Sequence, residues 1–397
     1  MKIYFATLFI IFLLSELQLV NGKTKKKKQK NNSDDDSSPS KSSKSSSSKS
    51  GSSVIRGQLK EETRTLDEIY KAALKEGGKF ILYAGGDFPG DIDGIKRAFE
   101  ARFPGITMDV IVDYSKFHGP RIDIQLDNNS LVPDVVQLQT LHDFPRWKKQ
   151  GVLMQYKPKG WSAIYEDYRD PDGYFTGIMI VVFSNNINTR LVPNESDWPR
   201  NATDLLKPIF ANGTIIQTYP NDDDAVLFWF KQVVDKYGWD YMTKLAAQKP
   251  VMVRGTGVDM STSYATLTSM GPAVLSNSSS NLMILPDKDP FVIWAQQAAI
   301  FKAAKHPETA KLYLNFMLDK VTQQILQWSV RKDVPAKDGF KQSWEYKQSS
   351  HKAFEKFMED HEGVERFKTQ MSFFFGEVQG DPSPGHVNLH QEKALPH

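Results

Sequence analysis

The chain of 397 residues contains no cysteine. Disulfides, thiolate nucleophiles and cysteine-ligated zinc are therefore excluded, and a folded body must be stabilised by its hydrophobic core. Catalytic motifs are also missing. No Gly-x-Ser-x-Gly sequence occurs, and His361-Glu362 is not followed by the second histidine that a zinc-protease helix needs. Acidic neighbours such as Glu166 and Asp167 fit a solvated helix edge. The sequence favours a protein that is not an enzyme.

Net positive charge is confined to one segment. Residues 23–57 contain ten Lys or Arg and three Asp, a net charge of +7. The whole chain carries +3, and Lys2 and Glu16 cancel, so residues from 58 onward carry 3 − 7 = −4. No basic stripe marks this acidic body, and we expect no nucleic-acid partner.

The same segment, residues 23–57, has almost no apolar side chains. Such a composition cannot offset the entropy of ordering, and it predicts a disordered Lys/Ser-rich tail. The tail could contact a cell surface or a wall polymer. A solvated, O-glycosylated spacer is the alternative.

Residues 1–22 have the order of a secretory signal peptide, with Lys2 before a short apolar run. Ser15 and Glu16 interrupt that run, so it is too short for a transmembrane span. We expect a secreted, extracellular protein without a transmembrane span. Frequent Asn-x-Ser/Thr sequences favour a eukaryotic secretory route and predict glycosylation. These sequences begin at Asn31, Asn128, Asn194, Asn201, Asn212 and Asn277, and glycosylation is predicted at the last five.

Strand-length apolar runs alternate with helical patterns along residues 58–340. Thr65 and Glu68 fit a capping box, and Gly77-Gly78 fits the end of the helix that follows. Strands are predicted at 80–84, 108–112, 134–138, 177–183, 214–218, 251–253, 272–275 and 282–285. Further helices are predicted at 119–128, 141–150, 222–237, 259–270 and 307–328. The alternation predicts an α/β fold in which helices cover largely parallel sheets.

Two strings carry a family resemblance. LDEIYKAALKEGGKFILYAGG, ending at Gly86, resembles the mature N-terminus of bacterial extracellular solute-binding proteins. AAIFKAAKHPETAKLYLNFMLDKVTQQILQWSVRKDVPA (298–336) resembles the late helix pair of the same proteins. This is the periplasmic-binding-protein type II class, which includes the iron(III)-type binding proteins of ABC transporters. The resemblance spans roughly residues 60–340.

The resemblance implies a two-lobed α/β fold with two crossing hinge strands and a ligand cleft between the lobes. Segments 174–186 and 282–294 fit the outward and return crossings. Lobe 1 is then 58–175 plus 287–340, and lobe 2 is the inserted segment 176–286. Residues 341–397 lie beyond the resemblance and are expected to form a C-terminal helical extension and tail.

Ligands of open α/β sheets bind outside the carboxyl ends of the strands, near helix N-termini. The predicted ligand-binding residues are Gly85, Gly86, Asp87, Gln137, Gln139, Thr140, Thr176, Gly177, Tyr219, Asn221, Gly255, Thr256, Gly257 and Trp294. In the alternative interpretation, these glycines only make turns, the glutamines solvate strand ends and the tryptophan fills the core.

No metal site or cofactor is predicted. The resemblance implies neighbouring tyrosines in iron-binding members, whereas this chain has no Tyr-Tyr pair and only Tyr264 in the predicted helix 259–270. The run Asp222-Asp223-Asp224 is interpreted as helix-starting acids.

We therefore predict a monomeric secreted protein that captures a small-molecule ligand, polar or anionic, or a metal chelate, by hinge closure. Two alternatives stay open. One is a secreted hydrolase or transferase on the same scaffold, and the other is a surface interaction protein with a vestigial cleft.

Overall fold

A computed structural model describes residues 59–256, 261, 263–270, 280–286 and 288–380. The predicted signal peptide and Lys/Ser-rich tail lie outside these residues. So do Asn31, Gly257, Asn277, the predicted strand 272–275 and the end of the predicted C-terminal tail.

The described residues form ten α-helices and nine strands. The helices are α1 Leu66–Glu76, α2 Asp93–Arg102, α3 Ser115–Asp127, α4 Asp143–Gln150, α5 Asp224–Tyr237, α6 Trp239–Ala247, α7 Pro307–Leu318, α8 Lys320–Ile325, α9 His351–Glu359 and α10 His361–Phe375. The strands are β1 Lys79–Gly85, β2 Thr107–Asp113, β3 Val135–Leu138, β4 Thr176–Asn188, β5 Ile215–Thr218, β6 Val251–Val253, β7 Ala265–Met270, β8 Asn281–Ile284 and β9 Val292–Ile300. None of the described helices is long and apolar enough to cross a membrane.

The first helix follows its sequence signals closely. The Thr65 side chain accepts from the Glu68 N–H, and the Glu68 carboxylate accepts from the Thr65 N–H, so the predicted capping box is confirmed. Gly77 and Gly78 have φ of 115° and 65°, which is the left-handed backbone that ends α1. The chain can then enter β1 directly.

One mixed sheet runs through the molecule in the order β2-β1-β3-β9-β4-β7-β5-β6, and β8 pairs separately with β4. β1, β2 and β3 are mutually parallel, and β9 is antiparallel to β3 and to β4. β5, β6 and β7 are also mutually parallel, and β7 is antiparallel to β4. The first half of the molecule contains β1–β3, and the second half contains β5–β8.

Two strands join these halves. β4 is buried along all 13 of its residues, as expected for a strand covered on both faces. Its beginning pairs with β9, from Thr176 opposite Ala298 to Phe183 opposite Val292. Its far end pairs with β7 and β8 of the second half. The predicted return crossing 282–294 thus comprises β8, a connection and the beginning of β9.

Separate hydrophobic cores stabilise the two halves. Both faces of the first-half sheet are covered, by a cluster around Phe80 and Phe99 and by another around Tyr83 and Trp147. The second half has its own cluster around Trp229. Helices α9 and α10 belong to this second cluster through buried residues that include Phe354, Met358, Val364, Phe367 and Met371.

Two predicted helices were wrong in part. Residues 265–270 form strand β7 rather than the end of a helix, because they complete the sheet between β4 and β5. Tyr264 therefore precedes a strand and is not helical. The predicted helix 307–328 is divided at Asp319, whose extended ψ of 142° ends α7 and whose carboxylate accepts from the Val321 N–H to begin α8.

Candidate functional site

The strand directions place a cleft between the two halves. β4 runs from the first half to the second, and β1–β3 run in the same direction, so their carboxyl ends point towards the second half. β5–β7 run the opposite way, and β5 and β6 end facing the first half. Both halves therefore present the sheet edge at which α/β proteins bind ligands.

A small polar pocket lies in this cleft. The space left between its walls is about 20 Å³, which is enough for one water molecule. The first half contributes the loops after β2 and β3, and the second half contributes the loops after β5 and β6. The lining residues are Tyr114, Ser115, Lys116, Gln139, Thr140, Asp222, Asp223, Asp224 and Gly255.

Several hydrogen bonds cross the cleft. The Asp87 carboxylate accepts from the backbone N–H and the hydroxyl of Thr256, at 2.9 and 2.7 Å. The Gln139 amide donates to Asp223 at 3.1 Å. These bonds hold the halves in contact and use side chains from the ends of β1 and β3.

Asp223 has both a structural and an electrostatic role. It is the N-cap of α5 and accepts from the Val226 N–H at 2.9 Å, so the predicted helix-starting role is confirmed. Desolvation is the main cause that raises the pKa of Asp223 to about 7, and the charges of Asp224 and Asp87 act in the same direction. The pocket therefore gathers several carboxyl groups, and the negative charge of those that are ionised, at a helix N-terminus.

Lysine and arginine side chains balance only part of that charge. Lys116, on α3, extends across the cleft, and its ammonium lies 2.5 Å from Asp222 Oδ1. Arg254, in the second half, forms a 3.3 Å ion pair with the same carboxylate. Both cations therefore meet at Asp222, whose side chain is only 6% exposed.

The structure brings five of the predicted site residues to the cleft. Gln139, Thr140 and Gly255 line the pocket, and Asp87 and Thr256 bridge the halves beside it. They come from three different loops, as the rule about strand ends predicts. Their role in ligand binding stays a prediction.

Other predicted glycines lie where packing demands a missing side chain. A Cβ on Gly85 would lie 2.1 Å from Ser115 Oγ, and one on Gly86 would lie 2.8 Å from a Val112 methyl. A Cβ on Gly177 would lie 2.5 Å from that of Ala295. Close packing therefore accounts for these three positions.

The remaining predicted residues are held away from the pocket. Gln137 and Thr176 are buried within the sheet, where Gln137 accepts from the Tyr313 hydroxyl. Trp294 is fully buried and packs edge-on against Phe354, with ring centroids 5.8 Å apart. The position of Trp294 agrees with the core-filling interpretation, whereas the buried Gln137 does not solvate a strand end.

Two predicted site residues that follow β5 also form hydrogen bonds outside the pocket. Tyr219 is buried, and its backbone N–H donates to Val253 O at 3.0 Å. The Asn221 amide donates to Ser372 Oγ at 3.0 Å, and therefore contacts α10 rather than the pocket.

The sequence prediction missed several pocket residues. It omitted the loop after β2, which supplies Tyr114, Ser115 and Lys116, although the same rule about strand ends applies to that loop. It assigned Asp222–Asp224 a structural role alone. The position of these acids at a strand-to-helix junction was the signal for a second role.

No group of three or more His, Asp or Glu side chains in the described part of the chain could hold a metal ion. A cavity of about 170 Å³ lies elsewhere, where the connection before α9 meets β9. Ser343, Trp344 and His351 line it together with Tyr165 and Tyr168.

Three of the predicted glycosylation sites, Asn128, Asn194 and Asn212, are exposed. Asn201 is half-buried, and its backbone N–H donates to the Asp204 carboxylate at 2.8 Å. Glycosylation at these positions stays a prediction.

Two halves that face each other through the carboxyl ends of their strands, joined by two crossing strands, define a type II periplasmic-binding-protein fold. Residues 132–357, more than half of the chain, match the family described as bacterial extracellular solute-binding protein. The chain belongs to this family.

Solved structures agree with that assignment at the level of the fold. Iron-bound HitA from Pseudomonas aeruginosa is 16% identical, with a TM-score of 0.57, and the match covers 74% of this chain and 99% of HitA. AfuA from Actinobacillus pleuropneumoniae with fructose-6-phosphate is 15% identical, with a TM-score of 0.58, over 75% of this chain and 98% of AfuA. An ABC-transporter substrate-binding protein from Agrobacterium tumefaciens is 14% identical, with a TM-score of 0.61, over 74% and 94%. No curated protein matches the chain.

Proposed function

We propose that this protein captures a small polar solute in the cleft and that its two halves close around the solute. One observation carries the proposal: a single pocket is lined from both halves by loops at the carboxyl ends of their strands. A solute bound there contacts both walls only when the halves approach each other. Binding therefore favours the closed form by the difference in affinity between the two conformations.

Two further features support closure. Each half has a separate hydrophobic core, so the halves can move apart without exposing either core. The described contacts at the pocket are polar, such as Asp87 with Thr256 and Gln139 with Asp223. Water can take the place of the protein partners in such bonds when the cleft opens. β4 and β9, which cross between the halves, are the proposed hinge.

The similar structures are consistent with a small solute as the ligand. HitA holds iron and AfuA holds fructose-6-phosphate. The anionic ligand or metal chelate predicted from the sequence is likewise a small solute. We propose that the protein acts outside the cell, as a secreted monomer with lobes at the boundaries predicted above.

The test begins with the full chain purified from secreting eukaryotic cells. Native mass spectrometry identifies any co-purifying solute, which is then removed by dialysis. Small-angle X-ray scattering compares the two samples. We expect a smaller radius of gyration with the solute bound, because closure brings the halves together.

The matched control is Lys149→Ala, an exposed position on α4 outside the pocket, which should bind and compact like the unaltered protein. A solute that binds with measurable affinity but leaves the radius unchanged would contradict closure. Failure to bind any member of a panel of sugar phosphates, organic acids, amines and metal chelates would contradict solute capture itself.

A further inference from the structure

The Lys116 side chain occupies an ammonium-binding environment in the cleft. Its Nζ donates to Asp222 O at 2.7 Å and forms an ion pair with Asp222 Oδ1 at 2.5 Å. It also lies 5.6 and 5.3 Å from the ring centroids of Tyr114 and Phe117. A carboxylate, a carbonyl and aromatic faces are the groups that bind organic ammonium ions. The ammonium comes from one half, and Asp222 comes from the other.

Carboxylates outnumber cations around this position. The pocket lining contains one lysine and three aspartates, Asp222, Asp223 and Asp224. Arg254 adds a second positive charge, but it pairs with Asp222, which Lys116 already contacts. An anionic solute would have to enter beside carboxylates whose nearest cations are engaged. A cationic solute would reduce the excess of negative charge.

Two buried polar residues line the pocket from opposite halves. Asp224, at the start of α5, is 7% exposed and places a carboxylate in the pocket lining. Thr140, at 2% exposure, lines the pocket from the opposite half, and its hydroxyl has no hydrogen-bond partner among the described residues. Buried polar groups normally have partners. Together these two groups offer a carboxylate and a hydroxyl to a solute between the halves.

Solvation effects agree with this charge pattern. The pKa of Asp223 is raised to about 7 by desolvation and by the neighbouring Asp224 and Asp87 charges. A positive charge brought into the pocket would lower the pKa of Asp223 and favour its ionised carboxylate.

We infer that the solute is an organic cation with an ammonium group, and that the Lys116 ammonium occupies that group's place in this conformation. The inference rests on the proposed function, which it extends to a class of ligand. About 20 Å³ remains beside Lys116, so an organic solute must displace this side chain. Lys116 is then a competitor for the site rather than a ligand-binding residue.

This gives opposite expectations for one substitution. If the solute is a cation, Lys116→Ala frees the Asp222 carboxylate and the rings of Tyr114 and Phe117, and the solute binds more tightly. If the solute is an anion, Lys116→Ala removes an attractive charge, and binding becomes weaker. The probe is n-butylammonium, which reproduces the lysine side chain from Cβ to Nζ, and the matched anions are butyrate and phosphate.

Ligand-observed NMR titration measures Kd for the three probes with the unaltered protein, Lys116→Ala and the control Lys149→Ala. We expect Lys116→Ala to lower the Kd for n-butylammonium at least tenfold and to leave both anions unbound. Lys149→Ala should match the unaltered protein. Asp224→Asn in the Lys116→Ala background should lose most of the gain, and thermal unfolding checks that each variant is folded.

An unchanged or weaker affinity of folded Lys116→Ala for n-butylammonium would overturn the inference. Tighter binding of butyrate or phosphate to the unaltered protein than to Lys116→Ala would also overturn it. In either case, an anion that compacts the protein in scattering would leave the proposed function intact. The two failures are therefore distinguishable.

Discussion

The carboxylate of Asp87 and the hydroxyl of Thr256, 169 positions apart in the chain, are joined by a hydrogen bond of 2.7 Å. The Thr256 N–H donates to the same oxygen at 2.9 Å. Asp87 follows β1 of the first half, and Thr256 follows β6 of the second. This pair therefore links the two halves directly, and substitution of either residue tests its contribution to the closed form.

Asp87→Ala should favour an open cleft. Hydrogen bonds to a charged group contribute about 1.5–3 kcal/mol each, and the substitution removes two of them. We expect a larger radius of gyration by small-angle scattering, with little change in thermal unfolding, because each half keeps its core. Asp93→Ala is the control, since Asp93 is an exposed carboxylate at the start of α2. Equal radii for the two variants would argue against a role for Asp87 in closure.

Gly255 lies at the pocket, where the two halves pack closely against each other. Its φ is +73°, and a Cβ there would lie 2.8 Å from the Tyr114 hydroxyl and 3.2 Å from Asp87 Oδ1. Gly255→Ala should therefore strain the backbone by about 1–2 kcal/mol and also keep the halves apart. Scattering should show expansion.

Gly339→Ala separates these two effects. Gly339 has a similar φ of +82°, but nothing lies within 4 Å of its Cβ position. The Gly339→Ala variant should be less stable than the unaltered protein but have the same radius of gyration. Adding Tyr114→Phe to Gly255→Ala should restore part of the compaction, because the nearest clashing atom is removed. A compact Gly255→Ala protein would show that the contact is not needed for closure.

Closure should depend on pH through Asp223. Its pKa is raised to about 7 in this conformation, and separation of the halves would expose the carboxyl and lower that pKa. The closed form then binds the proton more tightly, so it is favoured below pH 7 and loses stability as the pH rises. One such group changes the free-energy difference between the open and closed forms by at most about 1.4 kcal/mol per pH unit.

Scattering between pH 5.5 and 8.5 measures this effect. The Asp223 carboxyl faces Asp224, Asp87 and the Gln139 amide, and Lys116 and Asp222 are paired nearby. Asp223→Asn keeps an N-cap residue while removing the titration. We expect the unaltered protein to expand at high pH and the variant to expand less. The same expansion in both would assign the effect to another group.

The C-terminal helices should be required for the stability of the second half. Phe354 on α9 is fully buried and stacks on Phe228, with ring centroids 5.2 Å apart. Phe354→Ala should lower the free energy of unfolding by about 3–5 kcal/mol. Phe373 on α10 is 81% exposed, and Phe373→Ala should change it by less than about 0.5 kcal/mol. Denaturant titration measures both, and equal values would contradict the packing described for α9.

Local signals predicted much of the fold. The capping box at Thr65, the left-handed glycines after α1 and the apolar runs of β1–β3 each depend on neighbours within a few residues. β7 was mistaken for a helix because its six residues alternate only weakly, and its strand conformation depends on pairing with β4 and β5. The break at Asp319 was also missed, since a single extended residue leaves little trace in an apolar pattern.

The site was predicted less completely, for a reason of the same kind. The rule about strand ends selected Gln139, Thr140 and Gly255, which line the pocket. It could not separate them from Gln137, because the sequence does not fix where a strand ends, and β3 extends one residue beyond Gln137 to Leu138. Trp294 was selected as an aromatic residue of the return crossing, and its burial depends on what packs against it. Trp294 faces α9, a helix that begins 57 positions later in the chain.

The sequence by itself determined the α/β class, the solute-binding family resemblance and the order of most elements, because these depend on local periodicity, capping and composition. Only the tertiary structure decided that Lys116 meets Asp222, that Asp224 and Thr140 share one pocket and that α9 and α10 complete the second core. Those pairings join residues far apart in the chain. Their geometry depends on the crossing strands that set the two halves face to face.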